Sequence, residues 1–390
     1  MGAYRVHVRG VVGFTVESQQ VEGVFMPSTT EEFVQLLTPE GTRVTHPDFS
    51  LDISDDEIRA LYRDLYLVRR FDNEATALQR HGELALWAQC MGQEAAQVGA
   101  GRALSPQDMV FPSYREHGIA WTRDVDPLAV LALYRGTTNG GWDPNEKKFA
   151  LYTIVIGNQC LHAVGWAMAG MREGTNDAVV ACFGDGGSNQ GDVSEAFVFA
   201  GVYNAPVVFL CQNNQYAISE PNARQMRAPI YRRSEGFGFP GLRVDGNDVL
   251  AMLSVMRWAL EHARSGKGPV LVEAFTYRMG AHTTSDDPTR YRDADEVEMW
   301  KDRDPLLRVK RYLDSVSTPQ SFYDELELEA EVLADRIRTG TRNLPDPSPA
   351  VIFDNVYAEP HPLVDEERLE TSEYLAQFAD VRPTHGAGGH

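Results

Sequence analysis

The chain has 390 residues, 43% apolar and 10% aromatic, which excludes a disordered polypeptide and gives about two or three domains with a core that needs no staples. Lys and Arg number 36 against 56 Asp and Glu, a net charge of −20, which argues against broad binding to nucleic acid or to an anionic membrane. The four cysteines, Cys90, Cys160, Cys182 and Cys211, form no CxxC pair, so neither a disulfide framework nor a thiolate zinc site is expected. Cys182 and Cys211 sit in apolar runs and read as buried thiols.

Residues 1–50 read as an extended arm, with an alternating stretch at 6–16 that fits one strand and breakers at Pro39, Gly41 and Pro47. Arg5, Arg9 and Glu17 interrupt any signal peptide, and Val6 stands where a myristoylation signal wants Ser or Thr. No apolar run approaches the roughly 18 to 20 residues of a membrane span, so a soluble cytoplasmic protein is expected. Ser54 and Glu57 form a capping-box pattern, and Ile58, Leu61, Tyr62, Leu65 and Val68 keep helical spacing after it. A second helix is predicted from about residue 93 to 104. From 153 to 277 short apolar runs at 178–183, 206–211, 242–244 and 269–275 alternate with helical stretches at 195–202 and 249–263. That alternation predicts an α/β fold, a parallel sheet with helices on both faces, whose ligands bind beyond the carboxyl ends of the strands. Residues 304–345 are charged and helical in pattern, and the last residues, 383–390, read as a frayed tail in which His385 and His390 are not a metal site. The predicted organisation is an arm (1–50), a central domain (51–303), a helical C-terminal region (304–382) and the tail (383–390).

Two strand ends carry the chemistry. Gly184-Asp185-Gly186-Gly187 follows one apolar run, and Asn213-Asn214 follows the next, with a helix between them. Adjacent parallel strands bring the Asp185 carboxylate and the Asn214 amide oxygen to one edge of the sheet. Few, hard oxygen donors with room for water and phosphate suit magnesium. Glycines let the backbone approach a phosphate closely, and the helix that follows offers its N-terminus to the anion. Each motif alone is an ordinary turn; their pairing across one crossover points to magnesium and a diphosphate.

This arrangement resembles the thiamin diphosphate fingerprint. The stretch Arg278-Met279-Gly280-Ala281-His282-Thr283-Thr284-Ser285-Asp286-Asp287, with Tyr291-Arg292, resembles the active-site loop of the alpha subunit of 2-oxo acid dehydrogenases. Phe111-Pro112-Ser113-Tyr114-Arg115-Glu116 is similar to that family's diphosphate-binding pair, and Arg243-Val244-Asp245-Gly246-Asn247-Asp248 also fits. The likeness covers roughly residues 50–360 and implies the thiamin diphosphate-binding fold. It implies that Asp185 and Asn214 hold magnesium through their side chains and Tyr216 through its carbonyl. Tyr114 and Arg115 would hold the diphosphate, Gly186 and Gly187 would give backbone contacts, and Ile154 and Ile156 would lie beside the aminopyrimidine. His282 becomes the catalytic candidate, because imidazole near neutrality can donate to an oxyanion; His117 and His162 read as nearer the core. Thr283 takes the place of a hydroxyl that some relatives phosphorylate, and Thr153, Val155, Asn158 and Gln159 match a potassium site of some relatives.

The same likeness implies partners. The carboxylate that activates thiamin diphosphate comes from a beta subunit in this family, and residues 1–110 lack the texture of a second cofactor domain. An alpha-beta heterotetramer is therefore expected, acting on a small 2-oxo acid and acylating the lipoyl domain of a dihydrolipoyl acyltransferase, without nucleic acid or membrane. The flavour of residues 282–287 and 245–248 favours the branched-chain type, with pyruvate and then acetoin dehydrogenase alpha subunits as alternatives. A regulatory or scaffold subunit that keeps the fold is the non-enzymatic alternative, disfavoured by the intact Asp185, Asn214, Arg115 and His282. A nucleotide-binding Rossmann protein is disfavoured because no GxGxxG follows the first predicted strand.

Overall fold

The computed structural model describes residues 33–354 and 356–378. The strand expected at 6–16 and the tail at 383–390 lie outside the described residues. The first helix, α1 (Asp55–Arg80), starts on the predicted capping box: the Ser54 side chain accepts from the Glu57 N–H, and the Glu57 carboxylate accepts from the Ser54 N–H at 2.9 Å. Then come α2 (Glu94–Ala103), β1 (Met109–Phe111), the short helices α3 (His117–Thr122), α4 (Pro127–Arg135) and α5 (Pro144–Lys147), and α6 (Asn158–Glu173). The alternating region supplies β2 (Val179–Gly184), α7 (Gly191–Tyr203), β3 (Val207–Asn213), a small hairpin of β4 (Tyr216–Ala217) and β5 (Glu220–Pro221), the one-turn α8 (Asn222–Gln225), β6 (Gly241–Asp245), α9 (Val249–His262) and β7 (Val270–Phe275). Five helices follow: α10 (Ala294–Lys301), α11 (Pro305–Ser315), α12 (Gln320–Arg342), α13 (Val351–Asp354) and α14 (Pro362–Ala376).

Strands β1, β2, β3, β7 and β6 form one sheet in that order, every pair parallel. Side chains alternate across it. Val180, Cys182, Val208, Leu210, Val272 and Ala274 face the core shared with α1, α2 and α9. Val179, Ala181, Phe183, Phe209, Cys211 and Leu271 face the core shared with α6 and α7. The predicted α/β architecture with helices on both faces is therefore present, and all four cysteines are free and buried. The three-residue β1, which delivers the chain to Tyr114 and Arg115, was not foreseen.

Two further features set the site's surroundings. Helix α2 is built of small residues because it lies flat against α9; a Cβ on Gly99 would sit 2.6 Å from Met252 Cβ. Residues 33–50 are extended, as expected, and are tied down: Val34 bridges to Val244, and the Leu36 and Leu37 N–H groups donate to Asp248 at 2.7 and 2.6 Å. Val309 and Leu313 of α11, with Leu326, Ala330 and Ile337 of α12, join the core of α1. No helix among the described residues is long and apolar enough to cross a membrane.

Candidate active site

Strand register puts the chemistry at one edge. Gly184 pairs with Gln212 and Asn213 with Phe275, so the turns after β2, β3 and β7 leave the sheet side by side. They enclose a cavity of about 270 Å³. Tyr114, Arg115, Ile156, Asp185, Gly186, Gly187, Asn214, Tyr216 and His282 all line it. Ile154 is not among the lining residues; it is 69% exposed on the open flank. Of the segment matched to a potassium site, only Gln159 lines the cavity, and its Nε2 donates to the Cys182 carbonyl at 2.7 Å. His117 is buried as expected, but His162 is exposed, because it falls off the buried stripe of α6 formed by Gln159, Cys160, Ala163, Val164 and Ala167.

Strand alternation separates the two asparagines. Asn213 points away from the cavity and donates to Glu273 at 2.7 Å, whereas Asn214 lies in the cavity wall. Gln215 turns the chain with φ +74°, a conformation costly for a residue with a side chain. Its amide donates to the Thr276 carbonyl at 2.8 Å and holds that turn. Gly186 cannot carry a side chain: a Cβ there would lie 2.6 Å from Ala217 Cβ. Between the glycine turn and α7 a 3-10 turn (Gly187–Asn189) intervenes, and Gln190, the N-cap of α7, reaches the cavity wall.

Asp185 is 1% exposed, and burial pushes its carboxyl up to about 6 despite hydrogen bonds that favour the ion. Asn222 Nδ2 and Gln225 Nε2 both donate to Oδ2, at 3.0 and 2.7 Å. No side chain of the described residues donates to Oδ1. The Asn214 Oδ1 takes one long bond from the Tyr216 N–H, 3.3 Å, and the Tyr216 carbonyl takes one from Arg278 Nη1, 3.0 Å. A buried carboxyl with one oxygen that no side chain binds, beside two oxygens that each keep a lone pair, fits a hard cation. No group of three or more His, Cys, Asp or Glu among the described residues could hold a metal, so the donor set would be mixed carboxylate, amide and carbonyl.

Around this point the site is strongly basic. Arg115 and Arg278 are 6% and 1% exposed. Arg115 donates to the Gln89 carbonyl and, at 2.8 Å, to the His282 carbonyl. His282 Nδ1 lies 3.3 Å from Arg115 Nη2 and 3.3 Å from Arg278 Nη1. A guanidinium only donates, so Nδ1 is the acceptor and the proton of the neutral ring sits on Nε2. Burial, then the charges of Arg115 and Arg278, push the imidazole down to about 3. Its loop is fixed by Asp286, which accepts from the His282 N–H at 2.8 Å, and by Arg292, which reaches the Arg278, Met279 and Gly280 carbonyls. Two buried guanidiniums with no carboxylate salt bridge of their own among the described residues, close to two glycines, fit a multiply charged anion such as a diphosphate.

Sequence reasoning missed part of the wall. Gln93, Glu116 and Gln212 line the cavity. Gln97 donates to Gln212 at 2.9 Å and Gln212 to Glu116 at 2.8 Å, while burial pushes the Glu116 carboxyl up to about 7. Glu116 stands beside the Tyr114-Arg115 pair in the sequence, and that adjacency was its only signal. The segment Arg243-Val244-Asp245-Gly246-Asn247-Asp248 is not in the wall. Asp248 caps α9 and Asp245 pairs with Arg308 at 2.7 Å, so this segment anchors the fold.

A family model for the dehydrogenase E1 component matches residues 62–331. The chain is 43% identical over 362 residues to the 3-methyl-2-oxobutanoate dehydrogenase subunit alpha of Mycobacterium tuberculosis, covering 92% of this chain and 98% of that one. It is 36% identical over 342 residues to the pyruvate dehydrogenase E1 component subunit alpha of Acholeplasma laidlawii, covering 85% and 98%. Against the Staphylococcus aureus protein of that name it is 37% identical over 293 residues, covering 73% and 77%. The family implies thiamin diphosphate as cofactor, and the residues just described suit its diphosphate; the chain belongs to the family of 2-oxo acid dehydrogenase E1 components.

Proposed function

We propose that this chain is an alpha-type subunit that, with a beta subunit, decarboxylates branched 2-oxo acids such as 3-methyl-2-oxobutanoate and passes the acyl group to the lipoyl domain of an acyltransferase in the cytoplasm. One observation carries the reading. A buried carboxylate with one oxygen that no side chain binds, two buried guanidiniums and a neutral histidine converge on a single cavity at the strand ends. The substrate class follows from the likeness to the mycobacterial protein.

In this reading Asp185, Asn214 and the Tyr216 carbonyl hold magnesium, and Tyr114, Arg115 and the Gly186–Gly187 backbone hold the diphosphate. When bound, thiamin diphosphate supplies the nucleophilic carbon and the electron sink that decarboxylation requires. The chain's own residues orient and donate hydrogen bonds. Arg115 and Arg278 fix His282 so that its Nε2–H is the donor presented to reacting oxygens. Ile156, on the cavity wall, would lie beside the aminopyrimidine. Potassium would sit at Thr153, Val155, Asn158 and Gln159, and Thr283, half-buried beside His282, is where phosphorylation would act.

Co-expression with the beta subunit, followed by decarboxylation assays with magnesium, thiamin diphosphate and an artificial electron acceptor, tests the reading. Higher kcat/KM for 3-methyl-2-oxobutanoate than for pyruvate is expected. Preference for pyruvate would overturn the substrate class and leave the site roles standing. Inactivity on both with cofactor bound would point to another 2-oxo acid or a diketone.

A further inference from the structure

The residues that would hold magnesium are themselves held by side chains outside the two strand-end motifs. Gln225 Nε2 donates to Asp185 Oδ2 at 2.7 Å and to the Glu220 carbonyl at 2.7 Å. Both partners only accept here, so the atom facing Asp185 is the nitrogen. Asn222 Nδ2 donates to the same oxygen at 3.0 Å. The carboxylate is thus pinned by one oxygen, and no side chain among the described residues binds the other.

A parallel argument holds across the site. The Tyr216 N–H can only donate, and it meets Asn214 Oδ1 at 3.3 Å. The other end of the Asn214 amide is therefore Nδ2, which donates to Gln93 Oε1 at 3.1 Å. Gln93 must then present Nε2 on its other side. That atom is buried and has no hydrogen-bond partner, although Gln93 lines the cavity and is 1% exposed. Leaving such a buried donor unpaired is costly. A cavity that also holds Arg115 and Arg278 offers an obvious remedy, an anionic oxygen. Gln93 stands at the N-cap of α2 but makes no side-chain cap bond, so helix capping does not explain its burial.

We infer that Gln93 and Gln225 are positioning residues of the cofactor site: Gln225, with Asn222, aims Asp185 at the cation; Gln93 sets the Asn214 amide and adds a donor of its own to the diphosphate. This deepens the proposed function and rests on its assignment of Asp185 and Asn214. Outer hydrogen-bond partners of metal ligands change metal affinity by roughly 10- to 100-fold when removed.

The assembled alpha-beta enzyme is titrated calorimetrically with thiamin diphosphate at saturating magnesium, and with magnesium at saturating thiamin diphosphate. Manganese replaces magnesium in a parallel series read by electron paramagnetic resonance. Gln225→Ala should weaken cation binding roughly 10- to 100-fold and alter the manganese signal. Gln93→Glu keeps the acceptor for Asn214 and replaces the donor with an oxygen of like charge to the phosphate. It should weaken thiamin diphosphate at least about 10-fold, and the melting temperature of the unliganded protein is measured alongside to separate that loss from any cost of burying the new carboxylate. Should Gln225→Ala lower that temperature, the isosteric Gln93→Glu decides. If both variants bind cation and cofactor like the wild type while Asp185→Asn does not, the positioning role is wrong and the site assignment stands. If Asp185→Asn also binds normally, the assignment falls and this inference with it.

Discussion

The cavity and the apolar flank beside it differ in how finished they are. At the strand ends Asp185, Arg115 and Arg278 are all but fully buried, and each is fixed by hydrogen bonds within the chain while part of its bonding capacity is left for a ligand. On the flank Ile154 and Val155 are 69% and 68% exposed, with Leu151 and Ile156 partly so. Burying charge is expensive unless partners hold it, so the groups of the ionic end are fixed in place within one folded unit. Apolar surface left in water costs far less, and a contiguous strip of it marks a surface that something covers. The difference fits the proposed division of labour, in which this chain supplies the diphosphate end and a beta subunit closes the other.

Three substitutions would break or sharpen that contrast. The largest effect belongs to His282, which the two arginines hold neutral with its proton on Nε2. His282→Ala should slow lipoyl acylation by roughly 10²- to 10³-fold, the usual span for a lost oxyanion donor, while calorimetry shows near-normal cofactor affinity. Equal losses in affinity and turnover would reduce it to a binding residue. Next, Ile154→Asp places a charge in the apolar strip. Sedimentation should show association with the beta subunit weakened by about 100-fold, since an interface that buries an unpaired charge loses several kcal/mol. The isolated chain should keep its stability within about 0.5 kcal/mol. Normal assembly would mean that the strip faces no partner. Smaller again, Asp185→Asn removes one charge from the ionic end and should weaken magnesium-dependent cofactor binding by roughly 10- to 100-fold; unchanged affinity would remove it from the ligand set.

The same contrast explains what the sequence could and could not reveal. Four of the five sheet strands are legible because runs such as residues 206–211 are apolar on both faces, which only a doubly covered parallel strand requires. Asp185 and Asn214 are legible because each follows such a run. Strand β1 is three residues long and owes its existence to pairing with Val179–Ala181, a tertiary event with no local pattern. Gln93 and Gln225 look like any polar residue in the sequence. Gln93 reaches Asn214 across 121 positions and Gln225 reaches Asp185 across 40, and no spacing rule connects them. His162 misled because helical phase within α6, not apolar neighbours, decides which side chains turn inward.

The smallest effect tests whether the floor beneath the ionic end is as dry as it looks. His117 stacks on Trp87 with ring centres 4.3 Å apart. Its Nε2 meets the Ala88 carbonyl at 2.8 Å, so that nitrogen carries the proton, and Nδ1 accepts from the Tyr152 hydroxyl at 2.8 Å. Burial, aided by the charge of Arg115 and opposed by the Ala88 carbonyl, pushes the imidazole down to about 3. An unfolded histidine takes up its proton below about pH 6.5, so between that pH and 3 the unfolded chain binds the extra proton and the folded one does not. Stability therefore falls as the pH drops through this window, by about 2 kcal/mol at pH 5 from this one residue. Urea unfolding of the isolated chain at pH 7 and pH 5 measures it. His117→Gln should be less stable at pH 7, because it loses the ring stacked on Trp87, but its further loss on going to pH 5 should be smaller than that of the wild type by about 2 kcal/mol. Equal losses in the two proteins would mean that water reaches His117 and lets it titrate near its ordinary value, and the ionic end would then be no better sealed than the flank.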